Sequence, residues 1–325
     1  MNPDAEHEGV AMTHTGASTA RGAGFGHQPD RPPISGPLSF LAEERDRLAG
    51  LRWRSFEVRQ LSPTVGAEIT GVTLGGPLGQ EVTAELREAL FAYKVLFFRD
   101  QPLTAAQHVE FARRFGDLEV HPFAPPNPSE PHLVRFEKSA TAAGYENIWH
   151  HDVTWRECPS MGAVLHAIAV PAVGGDTLFA DMCAAYEGLD EGTKARIDGL
   201  WVEHDYLQTF GRVMSPEKLA RAREQYPTVR HPVVCRHAAT GRRHLYVNRA
   251  FVSHIEGLEP VEGAALLERL CRQAECPEYQ CRLRWSTDTV AFWDNRAVQH
   301  YATSDYWPSV RVMERASIVG TRPAA

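Results

Sequence analysis

Three stretches of this sequence set a carboxylate two residues after a histidine: His108-Val109-Glu110, His150-His151-Asp152 and His254-Ile255-Glu256. Such a pair, joined by a second histidine from elsewhere, is the ligand set of two-His-one-carboxylate non-haem Fe(II) sites. The pattern by itself is weak, and the backbone that carries it decides whether it can work. Residues i and i+2 point the same way on a strand, whereas on a helix they diverge by about 200°. Thr104 and Gln107 form a capping box ahead of Val109, Ala112 and Phe115, so His108 and Glu110 fall on a helix and cannot share an ion. His254 and Glu256 lie beside Gly257 in a turn-rich stretch and read as surface residues. His150 and Asp152 sit in Ile148-Trp149-His150-His151-Asp152-Val153-Thr154-Trp155. Its β-branched and aromatic residues predict a strand with His150 and Asp152 on one face and His151 on the other.

A third ligand and a co-substrate anchor must come from another part of the chain. The C-terminal stretch offers Trp293-Asp294-Asn295-Arg296, then His300, then Arg311 and Arg315. A turn over 304–309 would bring a returning strand alongside His300. On that strand Arg311, Met313 and Arg315 share one face. Two guanidinium groups facing one pocket suit carboxylates or sulfonates; facing outward they would be ordinary surface ion-pair residues.

The elements that must position these groups are readable in outline. Residues 1 to about 37 are rich in Gly, Ala, Thr, Pro and His and predict a disordered tail. The Gly22-x-Gly24-x-Gly26 run inside it has no strand before it or helix after it, so it is no dinucleotide loop. A short helix is expected over 39–51, and Val82, Leu86 and Leu90 predict another ahead of the buried strand Val95–Phe98. Ser215-Pro216 opens a further helix, and Leu266, Leu267 and Leu270 mark one more. Strands are expected over 279–285, 290–293 and 310–319. The fold class is therefore mainly β with helical cover, a sandwich or barrel core. We divide the chain into an N-terminal extension, 1–54, one domain, 55–320, and a short tail, 321–325.

Composition narrows the function classes. The chain has 325 residues, with 34 Lys and Arg against 41 Asp and Glu, a net charge of −7. That sign argues against a duplex nucleic-acid binder. Asp4, Glu6 and Glu8 occupy the place of a basic signal region, and the apolar stretch 161–170 is far too short to span a bilayer. The six cysteines contain no CxxC pair, so reduced thiols in a cytoplasmic protein are expected. Neither GxSxG nor GxxxxGK occurs.

From about Phe56 to Gly320 the chain resembles the taurine dioxygenase / 2,4-dichlorophenoxyacetate dioxygenase family of Fe(II)- and 2-oxoglutarate-dependent oxygenases. The pieces that carry the resemblance keep the family order. They include 65–71 (VGAEITG), Phe98-Arg99-Asp100-Gln101, Arg114-Phe115-Gly116 and Trp149-His150-His151-Asp152-Val153-Thr154. Gly174-Gly175-Asp176-Thr177, Tyr246-Val247-Asn248, Trp293-Asp294-Asn295-Arg296, His300-Tyr301-Ala302 and 311–315 complete them. The resemblance implies a double-stranded β-helix (jelly roll) with His150, Asp152 and His300 as iron ligands. It implies that Thr177 and Arg311 hold the distal carboxylate of 2-oxoglutarate. Arg315 would meet an acidic group of the substrate, with His121 and Phe210 in the substrate pocket. The implied cofactors are Fe(II), 2-oxoglutarate and O2, with ascorbate as the laboratory reductant.

The chain departs from the taurine-reading pattern at two places. Ala124 stands where that pocket has a tyrosine, and Glu146 where it has an asparagine. A carboxylate at 146 would repel a sulfonate and welcome an amine or hydroxyl, unless it turns to solvent. The expected activity is C–H hydroxylation of a small acidic substrate such as a sulfonate, sulfate ester or carboxylate. Alternatives are a tailoring hydroxylase or desaturase of a larger natural product or amino acid, and a non-catalytic metal-binding sensor. The expected partner is a small molecule, with no nucleic acid and no membrane; a homo-oligomer is left open.

Overall fold

A seven-stranded sheet drawn from both ends of the sequence forms the centre of the structure. In the computed structural model, residues 38–121, 127–144, 146–211 and 214–325 are described. The expected tail over 1–37 and the departure at Ala124 lie outside the described residues. The large sheet contains β1 (Glu57–Gln60), β2 (Ala67–Thr70), β3 (Val95–Phe98), β4 (Leu133–Lys138), β5 (Gly162–Ala169), β13 (Val290–Asp294) and β15 (Arg311–Ile318). Its strand order is β1-β2-β3-β13-β5-β15-β4, antiparallel throughout except for the parallel pair β2 and β3. A three-stranded sheet, β12 (Gln280–Leu283), β6 (Thr177–Asp181) and β14 (Val298–Ala302), faces it. Smaller sheets pair β7 (Trp201–His204) with β8 (Val229–Pro232) and β11 (Val252–Ile255), and β9 (Val234–Arg236) with β10 (Arg243–Leu245).

The two-residue side-chain period explains why the large sheet is apolar on both faces. Leu96 and Phe98 of β3, with Val290 and Phe292 of β13, enter a core beneath α2 (Gln80–Tyr93) and α3 (Ala105–Arg113). Val95, Phe97, Ala291 and Trp293 enter the core shared with Phe179 of β6 and Leu283 of β12. A strand covered on both faces must be apolar at every position, hence the unbroken Val-Leu-Phe-Phe run. The mainly β class with helical cover is what the chain adopts. Sequence signals for helices also appear as expected. α1 covers Ser39–Ala49, Thr104 and Gln107 cap α3 reciprocally, and Ser215 caps α7 (Pro216–Gln225) with proline in its first turn. A third core, around Leu266 and Leu270 of α8 (Pro260–Cys271), also takes in α4 (Met182–Glu187) and α5 (Glu191–Ile197).

Two expectations are corrected. The stretch 148–155 is not a strand: His150 makes one isolated bridge, and residues 152–155 turn. Val153 sits there at φ 49°, a left-handed conformation that β-branched residues rarely adopt. The stretch around His254 is the strand β11, with His254 exposed. Its alternation was hidden by the neighbouring glycine and polar residues. The described residues contain no helix long and apolar enough to cross a membrane, and all six cysteines are free.

Candidate active site

His150, Asp152 and His300 converge between the two facing sheets. One ligand atom from each lies within 4.8 Å of the others, and no second such cluster occurs among the described residues. His150 Nε2 is 3.9 Å from Asp152 Oδ1, and His300 Nε2 is 4.0 Å from Asp152 Oδ2. The backbone brings them together. His150 N donates to His300 O and His300 N to His150 O, so their rings stand on one side with centroids 4.1 Å apart. Asp152 is delivered by the turn that follows. Asn295 clamps that turn: its Oδ1 accepts from Asp152 N at 2.7 Å, and its Nδ2 donates to the carbonyls of Asp152 and Ser160.

The protonation states follow from surroundings. His150 Nδ1 lies 2.8 Å from the Ile148 carbonyl, which accepts its proton, so Nε2 is the nitrogen turned toward the cluster. Burial, helped by the neighbouring His150, pulls His300 down to about 3, so its ring is neutral at neutral pH. Burial alone would raise Asp152, but Arg315 and the two histidines outweigh it and hold the carboxyl ionised. Arg315 Nη1 donates to Asp152 Oδ1 at 2.7 Å, while Oδ2 is buried without a hydrogen-bond partner.

A pocket, open at its mouth, runs from this cluster between the sheets. Thr177 at the start of β6 and Arg311 at the start of β15 both line it. The Thr177 hydroxyl accepts from Trp285 Nε1 at 3.0 Å, which directs its own proton elsewhere. Arg311 is buried over the Tyr306 ring, and its Nε has no partner. Gly175 lies against it at φ 72°. A Cβ there would come within 3.3 Å of the Arg311 side chain, so the Gly174-Gly175 pair serves both the turn and the close approach. Arg311, Met313 and Arg315 share the pocket face of β15, as their spacing predicts.

Residues 57–317 match the family described as "Taurine catabolism dioxygenase TauD, TfdA family". The chain belongs to the TauD/TfdA family. An alpha-ketoglutarate-dependent sulfate ester dioxygenase of Pseudomonas putida is 33% identical over 275 residues, 82% of this chain and 90% of that protein. An (S)-phenoxypropionate/alpha-ketoglutarate-dioxygenase of Sphingobium herbicidovorans is 35% identical over 277 residues, 82% of this chain and 96% of that one. Among solved structures, a taurine dioxygenase from Burkholderia xenovorans superposes with a TM-score of 0.72 at 34% identity, covering 83% of this chain and 93% of that one. AAD-2 in complex with Mn(II) and N-oxalylglycine gives 0.72 at 29% identity, covering 84% and 100%.

In this TauD/TfdA-family chain the donor set fits the family's metal. Two imidazoles and one ionised carboxylate, with an orphaned buried oxygen at Asp152 Oδ2, are the donors a non-haem Fe(II) centre takes. The remaining residues named from sequence are distributed unevenly. Glu146 lines the pocket rather than turning to solvent, and Lys138 Nζ meets its Oε1 at 2.6 Å. His121 is half-buried; burial and the Arg315 charge pull it to about 4. Phe210, in α6 (Leu207–Phe210), stacks on Tyr206 in a separate aromatic cluster and does not line this pocket. Sequence reasoning missed Lys138 and Tyr306 and did not single out Asn295. Asn295 lay inside a family motif, whereas nothing local marks Lys138.

Proposed function

We propose that this protein is an Fe(II)- and 2-oxoglutarate-dependent dioxygenase that hydroxylates a C–H bond of a small organic acid. The observation that carries this reading is the His150–Asp152–His300 cluster at the inner end of a pocket that also holds Arg311 and Thr177. The balanced reaction takes the C–H compound, 2-oxoglutarate and O2 to the alcohol, succinate and CO2. Residues 55–320 make the catalytic domain, and the two facing sheets its double-stranded β-helix.

Iron, held by His150, Asp152 and His300, would supply the coordination sites and redox chemistry for O2. The chain's own work is binding and orientation. Arg311 faces the distal carboxylate of 2-oxoglutarate with its guanidinium fork, and the Thr177 hydroxyl donates to the same group. Ion pairing with Arg315 keeps Asp152 ionised, and the Ile148 carbonyl keeps the His150 proton on Nδ1. His121 and Arg315 would receive the acidic group of the substrate. The related sulfate ester and phenoxypropionate dioxygenases support an organic acid as substrate.

The test is succinate formation by purified protein with Fe(II), ascorbate, O2 and 2-oxoglutarate, against sulfate esters, sulfonates, aryloxyalkanoates and amino acids. Stimulation by one acid class supports the reading and names the substrate class. Absence of succinate from iron-loaded, folded protein would overturn it. Arg311→Ala should raise the KM for 2-oxoglutarate by about a hundredfold, the loss of a bidentate charged contact.

A further inference from the structure

We propose that Lys138 is a second cation reading the distal carboxylate of 2-oxoglutarate, and that Glu146 is its built-in counter-anion. The proposal rests on the reading above, in which Arg311 receives that carboxylate.

Strands β4 and β15 are antiparallel, and their register sets Lys138 directly opposite Arg311. Directly opposed residues project to the same face with Cβ atoms about 5 Å apart, and like charges in that relation repel. Both side chains line the same pocket. Lys138 is largely buried at 13% side-chain exposure, and Arg311 is 7% exposed. Two poorly hydrated cations side by side require an anion nearby.

Glu146 supplies one. Its Oε1 lies 2.6 Å from Lys138 Nζ, and it lines the pocket that both cations face. At 30% side-chain exposure Glu146 is the more solvated member of the pair. An incoming dicarboxylate that reaches Arg311 therefore also comes within reach of Lys138. The flexible four-carbon stem lets the ammonium turn from Glu146 toward the ligand. Glu146 then competes with the co-substrate for Lys138, stabilising the empty pocket and loosening the grip on the bound anion. The two substitutions should act in opposite directions.

The experiment is calorimetric titration of anaerobic Fe(II)-loaded protein with 2-oxoglutarate and, separately, with 2-oxopentanoate, which has a methyl group in place of the distal carboxylate. Lys138→Met should weaken 2-oxoglutarate by about tenfold, the loss of one charge-assisted contact, and leave 2-oxopentanoate unchanged. Glu146→Gln should tighten 2-oxoglutarate by about threefold or more, by removing the competing anion. Lys138→Arg should retain most of the affinity. Thermal melting of each variant without ligand establishes that it folds. Equal loss for both ligands in Lys138→Met, no loss in either, or weaker binding in Glu146→Gln would overturn the proposal. Wild-type protein that does not prefer 2-oxoglutarate over 2-oxopentanoate would instead overturn the co-substrate reading beneath it.

Discussion

His150 and His300 are hydrogen-bonded to each other through their main chains, at 3.1 Å from His150 N to His300 O and 2.9 Å in return. This isolated antiparallel bridge holds together two segments 150 positions apart in the chain. Because the pairing is made by backbone, it survives the loss of either imidazole.

His300→Ala should therefore fold and yet fail to hold metal. Its affinity for Mn(II), followed by the disappearance of the free-ion resonance, should fall by more than the roughly 10–100-fold that removal of an outer partner costs. Unchanged Mn(II) affinity would remove His300 from the ligand set.

Asn295→Ala should be more damaging to the fold than its distance from substrate would suggest. It strips hydrogen bonds from the amide and carbonyl of Asp152 and from the carbonyl of Ser160. Each buried main-chain group left without a partner costs about 1–3 kcal/mol. Urea denaturation should show a loss of about 3 kcal/mol, with weaker metal binding because the turn bearing Asp152 loosens. A loss below about 1 kcal/mol would mean that the turn holds itself.

Arg315→Met should destabilise the protein by about 3 kcal/mol, because it leaves the buried Asp152 carboxylate without its closest cation. Asp152 is held below its ordinary range in the folded chain, so its stabilisation is present above the unfolded value and lost as acid protonates it. Without Arg315 the carboxyl rises, and metal should dissociate at a higher pH than from wild type. Arg315→Lys should restore the charge but not the planar fork. An unshifted pH profile for Mn(II) release would overturn this account.

Acid should begin to destabilise the protein through its buried histidines. Burial, with repulsion from His166, pulls His108 down to about 3; burial, with repulsion from His237, pulls His244 to about 4. The native state therefore binds fewer protons than the unfolded one between these values and the ordinary histidine value near 6.5. Stability is full above about 6.5 and falls as pH drops toward 4, by about 1.4 kcal/mol per pH unit for each such group. Calorimetry at pH 5 in buffers of different ionisation enthalpy should report uptake of more than one proton on unfolding. No uptake would place these histidines in contact with water.

Much of this was legible in the sequence because it is local. The capping box at Thr104 disqualified His108-x-Glu110, and the structure places both residues on α3. The apolar run 95–98 announced a strand covered on both faces, and the alternation of Arg311, Met313 and Arg315 announced a shared face. These features depend on neighbours a few positions apart, whose geometry the backbone period dictates. The family resemblance also named His150, Asp152 and His300, and the structure brings the three together.

What only the tertiary structure decided are relationships across long stretches of chain. The segment 148–155 reads as a strand by propensity, yet it makes one bridge and turns, with the distant Asn295 satisfying the backbone of Asp152 in place of a neighbouring strand. Lys138 stands opposite Arg311 through a strand register, and Arg315 meets Asp152 through the placement of a turn; no local pattern encodes either. Phe210 joins a cluster with Trp155 and Phe251, distant in the chain, away from the pocket that holds Arg311. Side-chain periodicity is set by each residue's own φ and ψ, whereas register is set by the packing of cores that the whole chain assembles.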